Sequence, residues 1–300
     1  MMYHTPALLQ ESINGLNINP QGIYVDATFG GGGHSAKIMS KLNKNGKLIA
    51  FDQDADAEKN AFDDDRLIFI RHNFKYMIHF LDYHQIKKVN GILADLGVSF
   101  HQFDTPQRGF SFGFSDATLD MRMNQDIGKT ANDILNQYSA DQLARIFKHY
   151  GDVKMAGKIA NAIEKGRAEQ QVEHIEDLLS IIKPFIPKGR EHKFLAKIFQ
   201  ALRIEVNDEM NSLKEFLLQA ADVIAPGGRL VVIAYHSAED RLVKRFMQTG
   251  NFEGNVKKDF YGNIISPFHL INKKVIMPDQ EEIKTNPRSR SAKLRIAEKN

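Results

Sequence analysis

The chain has 300 residues, 42% of them hydrophobic and 26% charged, with a formal net charge of +3. That is an ordinary globular balance, with enough chain for one large or two modest domains. Cysteine is absent, which excludes a disulfide framework, a thiolate metal site and a cysteine nucleophile and leads to the expectation of a cytoplasmic protein. No apolar run approaches the ~20 residues that span a bilayer, and residues 1–6 lack the charged and apolar regions of a signal peptide.

The first strong signal is a run of β-branched and aromatic residues at 23–29, which predicts a buried strand. Four consecutive glycines follow, Gly30 to Gly33, and then a helical stretch at 35–42. A strand that turns through glycine into a helix suits a nucleotide-like ligand. Glycine lets the backbone come close, and a helix start offers free N–H groups. A second strand at 47–51 ends in Asp52, placed to accept hydrogen bonds from ribose hydroxyls. Asp26, just before the glycines, suits an amine and a cationic sulfonium and serves an anionic pyrophosphate poorly. It therefore favours S-adenosylmethionine over a nicotinamide dinucleotide, which only Gly31-x-Gly33-x-x-Ala36 supports.

The alternation continues with a short acidic helix at 54–61, a strand at 67–70, a helix at 74–81 and a strand at 91–96 that carries Asp95 near its end. In an open parallel sheet Asp26, Asp52 and Asp95 would share the carboxyl edge, where ligands bind. Alternation then stops. Residues 105–190 show no strong strand but two capping-box patterns, Thr130-x-x-Asp133 and Ser139-x-x-Gln142. Helices are predicted at 153–167 and 175–182, and one long helix or two at 195–218. This reads as a helical insertion inside an α/β domain. A turn at 225–229 feeds a fifth strand at 230–235 and a helix at 237–247, and strand character returns at 273–277 and 292–297.

Chemistry-bearing residues concentrate in the glycine-punctuated stretch 95–123. Asp95 could accept a hydrogen bond from an exocyclic amine whose lone pair is delocalised into its ring. Phe100, Phe103 or Phe110 could stack on a splayed-out base or simply pack the loop. His236-Ser237-x-Glu239-Asp240 has no nucleophile elbow before it, so serine hydrolysis is disfavoured. Ser237 could cap the helix there, and no spacing argues for a metal. Residues 143–203 hold twelve Lys/Arg against seven acids, and 284–299 hold six bases against Glu298. Asn286-Pro287-Arg288-Ser289-Arg290-Ser291 suits phosphates.

Seven blocks carry a family resemblance. They are Asp26-Ala-Thr-Phe-Gly-Gly-Gly-Gly-His34, Asp95-Leu-Gly-Val-Ser99, Arg108-Gly-Phe-Ser-Phe112, Leu119-Asp-Met-Arg-Met123, Phe199-Gln-Ala-Leu-Arg-Ile204, His236-Ser237 with Glu239-Asp-Arg241, and Asn286-Pro-Arg-Ser-Arg-Ser-Ala292. In this order, from about Thr5 to Ala297, the chain resembles the bacterial 16S ribosomal RNA cytosine-N4 methyltransferases. The resemblance implies an α/β, Rossmann-like methyltransferase with a mostly parallel sheet. Residues 1–104 and 200–300 would form that domain, and 105–199 a helical insertion for RNA recognition. It implies S-adenosylmethionine as cofactor, held at Gly32, Gly33, His34, Asp52, Phe74, Asp95 and Gln102, with Asp26 added on physical grounds. Asp95 would be catalytic, and Arg108, Arg122, Arg203, His236, Arg288 and Arg290 would meet RNA. The partner would be small-subunit ribosomal RNA in an assembled or late-assembling subunit, away from any membrane, with homodimerisation left open.

Four departures from the family pattern lie away from the cofactor motifs. Ser99-Phe100 replaces two serines, and Thr118-Leu119 replaces Pro-Leu. Residues 191–198 lack the usual His-Pro-Ala-Thr-Arg-Thr, and Ala234-Tyr235-His236-Ser237-Ala238-Glu239 replaces Ser-Phe-His-Ser-Leu-Glu. Two alternatives remain: a nicotinamide-dependent oxidoreductase, and a non-catalytic RNA-binding or assembly protein on the same fold.

Overall fold

The computed structural model describes residues 6–262 and 264–300. Residues 1–5, part of the segment read against a signal peptide, lie outside the described residues. The chain divides into two compact units, residues 1–97 with 211–300 and residues 98–210. The sequence reading puts the breaks at 104/105 and 199/200.

The first unit is built on a seven-stranded sheet. Its strands are β1 (Ile23–Asp26), β2 (Lys47–Asp52), β3 (Leu67–Arg71), β4 (Val89–Asp95), β5 (Ile224–Ala234), β6 (Phe268–Leu270) and β7 (Lys293–Lys299), in the order β3-β2-β1-β4-β5-β7-β6. The first five pair in parallel, and β7 runs antiparallel between β5 and β6. Alternate residues face opposite layers, as the two-residue period of a strand requires. Val25, Ile49, Ile92 and Val232 pack in one core cluster, and Tyr24, Leu48, Leu93 and Val231 in another.

Helices cover both layers. On one side lie α1 (Leu9–Leu16) and α2 (Gly33–Met39), through Ile13, Leu16, Ile38 and Met39. The short α3 (Ala55–Glu58) follows β2, and α4 (Met77–Tyr83) covers the other face. The chain order in the sheet reverses between β1 and β4, with β2 and β3 on one side and β5 on the other. The crevice at the carboxyl ends of the strands at such a reversal is where doubly wound sheets take ligands. Among the described residues, no helix is long and apolar enough to cross a membrane.

The second unit is helical, with α5 (Phe100–Asp104), α6 (Ala131–Gln137), α7 (Ala140–His149), α8 (Ala156–Glu169), α9 (Ile175–Ile182) and α10 (Glu191–Val206). Both capping boxes form as the sequence predicts. Thr130 and Asp133 close the start of α6, and Ser139 and Gln142 close the start of α7. Leu143, Ile146 and Phe147 of α7 bury one stripe against Ile159 and Ile163 of α8, Leu178 of α9 and Ile198 of α10. The stretch 195–218 is two helices, α10 and α11 (Glu209–Val223). From residue 211 onward α11 belongs to the first unit. The first unit closes with α12 (Ser237–Thr249) and α13 (Gln280–Thr285).

Two strand expectations shift: β5 begins at Ile224 and takes in residues 225–229, read from the sequence as a turn, and the strand character at 273–277 is not realised. Residues 273–277 make only an isolated bridge, Ile276 to Leu294, and the edge strand β6 lies earlier in the chain. Phe147 is fully buried, so Phe147→Ala is expected to cost the second unit about 3–5 kcal/mol. Urea unfolding followed by helical circular dichroism checks this, and an unchanged midpoint would contradict it.

Candidate functional site

The glycine turn between β1 and α2 is held from below by carboxylates. Asp26, only 1% exposed, accepts from the Thr28 N–H at 3.1 Å and from the Ser35 hydroxyl at 2.7 Å. Asp52 accepts from the Gly30 N–H at 2.8 Å and from the Asp54 N–H at 2.9 Å. Gly30 and Gly32 sit at φ +53 and +76, the left-handed region that disfavours side chains. A Cβ on Gly32 would meet the Phe29 ring at 2.9 Å, whereas one on Gly30 would meet nothing within 4 Å. The turn is thus packed on one side and open at its tip.

Asp95 ends β4. Its N–H donates to the Thr28 hydroxyl at 2.6 Å, and its Oδ1 accepts from the Tyr235 hydroxyl at 2.8 Å. Its Oδ2 lies 3.8 Å from His34 Nδ1, and the side chain keeps 21% of its surface exposed. Burial pushes the carboxyls of Asp26 and Asp52 up to about 6 and that of Asp95 up to about 7. The Tyr235 hydrogen bond holds Asp95 down, while the charges of Asp26 and Glu239 push it further up. His34, 5% exposed, is driven down to about 4 by burial against the opposing hydrogen bond to the Ala7 backbone. It is therefore a neutral imidazole, and among the described residues its Nε2 has no hydrogen-bond partner. Buried polar atoms are usually paired, so that nitrogen is suited to a ligand.

Phe74 begins a short 3₁₀ turn after β3 and packs edge-on to Phe216 at 5.2 Å. Asn73, which caps that turn, donates to Gln53 at 3.0 Å and so ties it to the end of β2 beside Asp52. One unit therefore brings Asp26, Asp52, Asp95, Gly32, Gly33, His34 and Phe74 to the carboxyl edge of one sheet. Gln102 belongs to the second unit, where it is buried and completes the capping box of α5 with Ser99. Sequence reasoning misses Thr28, Gln53 and Tyr235. Their partners lie 67, 20 and 140 residues away, and no local spacing signals such pairs.

The arginines divide. Arg108 is buried and donates to the Arg122 and Met123 carbonyls. Arg122 makes a two-pronged pair with Asp120, and Arg203 another with Glu209. These three guanidinium groups are engaged inside the second unit rather than presented outward. Arg288 and Arg290 are exposed on a 3₁₀ turn, Pro287–Ser291, whose buried Ser289 hydroxyl donates to the Asn286 carbonyl. His236, rather than Ser237, is the N-cap of α12, in a reciprocal box with Glu239. Of the candidate stacking rings, Phe110 is buried in the core of the second unit and Phe103 packs against it.

The model of the MraW methylase family matches residues 1–300. The chain is 58% identical to the "Ribosomal RNA small subunit methyltransferase H" of Parabacteroides distasonis, over 99% of this chain and 97% of that one. It is 57% identical to the protein of that name from Bacteroides thetaiotaomicron, over 100% and 98%. It is 53% identical to that of Flavobacterium johnsoniae, over 100% and 98%.

The raised carboxyl of Asp26 has a consequence for the protein without ligand. A group whose folded pKa lies above its unfolded value of about 4 contributes stability that is full below that value. The contribution is lost as pH rises through the folded value, here about 6. Asp26→Asn keeps one acceptor for Thr28 and one donor for Ser35 but cannot ionise. The variant is expected to lose less stability than the wild type between pH 4.5 and 7. Parallel thermal unfolding curves across that range would overturn this.

Proposed function

The chain belongs to the MraW methylase family, and from that premise we propose that it methylates the N4 amine of a cytosine in the decoding region of 16S ribosomal RNA, in the cytoplasm, with S-adenosylmethionine as donor. The substrate is the RNA as presented in a small ribosomal subunit, assembled or nearly so. S-adenosylmethionine, when bound, supplies a methyl carbon on a positively charged sulfur. The residues at the sheet edge fit such a group. Three carboxylates there favour a cation, His34 Nε2 is an unpartnered buried nitrogen, and the Gly30 tip is open.

In this reading Asp52 uses its remaining lone pairs for ribose hydroxyls. Gly32, Gly33 and His34 line the turn, and Phe74 packs against the adenine. Asp26 acts through charge and by bracing the turn, because both its oxygens already accept hydrogen bonds.

The observation that carries the proposal is Asp95. A cytosine amine is a weak nucleophile because its lone pair is shared with the ring. Asp95 accepts an N–H of that amine, which concentrates electron density on nitrogen and orients it. With the donor bound, the Asp95 carboxylate would receive the proton that the amine gives up as it takes the methyl group. A carboxyl near 7 is matched to that task at neutral pH. Much of the remaining acceleration is in-line positioning.

Phosphate binding falls to exposed cations. Arg288 and Arg290 stand on an anchored turn. The second unit presents Arg145, Lys148, Lys154, Lys158, Lys165 and others to solvent.

The direct test incubates the protein with labelled S-adenosylmethionine and small subunits lacking the modification, then digests the RNA. N4-methylated cytidine is the expected labelled nucleoside, and label on any other atom or none overturns the assignment. Asp95→Asn is expected to lower turnover at saturating donor by about 10²–10⁴-fold; lost donor affinity with full turnover would contradict its role as acceptor. Arg288→Ala with Arg290→Ala is expected to flatten the salt dependence of RNA binding, by about 0.7–0.9 in slope for each phosphate left without its arginine. An unchanged slope would remove the two arginines from the interface.

A further inference from the structure

Tyr235 follows directly on β5, and the residue is pinned at both ends. Its backbone N–H donates to Glu239 Oε2 at 2.9 Å, and its hydroxyl donates to Asp95 Oδ1 at 2.8 Å. The ring packs on the core cluster that includes Val231 and Ile233. Burial, with the negative charge of Asp95 next, keeps the phenol well above its ordinary pKa, so it stays protonated and donates. The titratable groups facing Asp95 within this unit are Tyr235, His34, Asp26 and Glu239, and Tyr235 also faces Glu282. His34 is neutral and 3.8 Å from Oδ2, beyond hydrogen-bond reach. Tyr235 is thus the one side chain among these that donates to the carboxyl of Asp95.

We propose that Tyr235 is a positioning residue for methyl transfer: by occupying Oδ1 it fixes the rotation of the Asp95 carboxylate and leaves Oδ2 as the acceptor for the substrate amine. This rests on the reading of Asp95 as the amine's hydrogen-bond acceptor. Two consequences follow. A carboxylate free to rotate would offer either oxygen in many orientations, and losing the tether lowers the fraction of encounters in which the amine is aligned. The donated hydrogen bond also favours the charged form of Asp95 against the burial and the two neighbouring carboxylates that oppose it.

The test is Tyr235→Phe, which keeps the ring and removes the hydroxyl, assayed beside Asp95→Asn with S-adenosylmethionine and unmodified small subunits across pH 5.5–9. Tyr235→Phe installs the ring that the family pattern carries at this position; in this chain, whose neighbouring Ala234 also departs from that pattern, it is expected to lower kcat by about tenfold or more, with KM for both substrates near wild type. Activity needs the carboxylate, and removing the donor raises the Asp95 pKa. The acid limb of the kcat profile should therefore move to higher pH, by about one unit.

Wild-type kcat and an unmoved limb in Tyr235→Phe, with Asp95→Asn inactive, overturn the positioning role and leave Asp95 standing. A lowered kcat with an unmoved limb, or a raised donor KM, marks a packing role and also overturns it. Full turnover in Asp95→Asn refutes the underlying reading instead.

Discussion

Three carboxylates end three neighbouring parallel strands, and the burial of their charge is the condition on which the rest of the site is built. Asp52, Asp26 and Asp95 sit at the ends of β2, β1 and β4, which are adjacent in the sheet. Burial pushes all three upward, and Asp26 pushes both of the others further. A fold that needs only stability gains nothing from this arrangement, because apolar strand ends would pack without the desolvation of charge. The arrangement becomes favourable when a cation shares the space. The N–H groups of Thr28, Gly30 and Asp54 and the hydroxyls of Ser35 and Tyr235 hold the carboxylates in place meanwhile. The glycine turn is shaped by the same bonds, since Asp52 and Asp26 grip it at Gly30 and, through Ser35, at the start of α2.

What the sequence makes legible follows from where the information is local. Strand periodicity, the glycine turn and the acid at each strand end are properties of short windows, and β1, β2, β4 and the three carboxylates appear where those windows place them. The capping boxes at Thr130 and Ser139 are local in the same sense. Less legible is whatever depends on a partner far along the chain. Tyr235 reads as the last apolar residue of a strand, and only the parallel pairing of β4 with β5 sets it beside Asp95. The stretch 273–277 has strand composition but gains a single bridge, Ile276 to Leu294, beyond the three residues at which β6 pairs with β7.

Arginines show the same limit from the other direction. On sequence alone, Arg108, Arg122 and Arg203 are as good phosphate ligands as Arg288 and Arg290. In the folded unit the first three are consumed by carbonyls or carboxylates. A planar guanidinium is well matched to a carboxylate such as Asp120 or Glu209. Arg203 ties the end of α10 to the start of α11, and Arg108 and Arg122 fix the irregular stretch 105–130. Asn207 does the same, accepting from the Met123 N–H and donating to the Met121 carbonyl. The proposed contacts to a polyanion would then rest on exposed side chains: the lysines of α8 and the two arginines of the Pro287–Ser291 turn.

In the proposed reaction, the balance at Asp95 would let a buried carboxylate act as acceptor without being lost as a base. Burial alone would carry it toward permanent protonation, and a neutral acid cannot accept the amine hydrogen in the way a carboxylate does. Full exposure would return it to an ordinary value and surround it with water that competes for the same lone pairs. The fold takes neither extreme. It buries the group at a sheet edge next to two like charges, leaves part of it open, and sets one phenol against it. The phenol itself cannot ionise in that setting, because burial and the carboxylates around it raise Tyr235 as well. Burial, reinforced by the neighbouring carboxylates, therefore raises both groups, leaving Asp95 at about 7 and Tyr235 protonated as a donor.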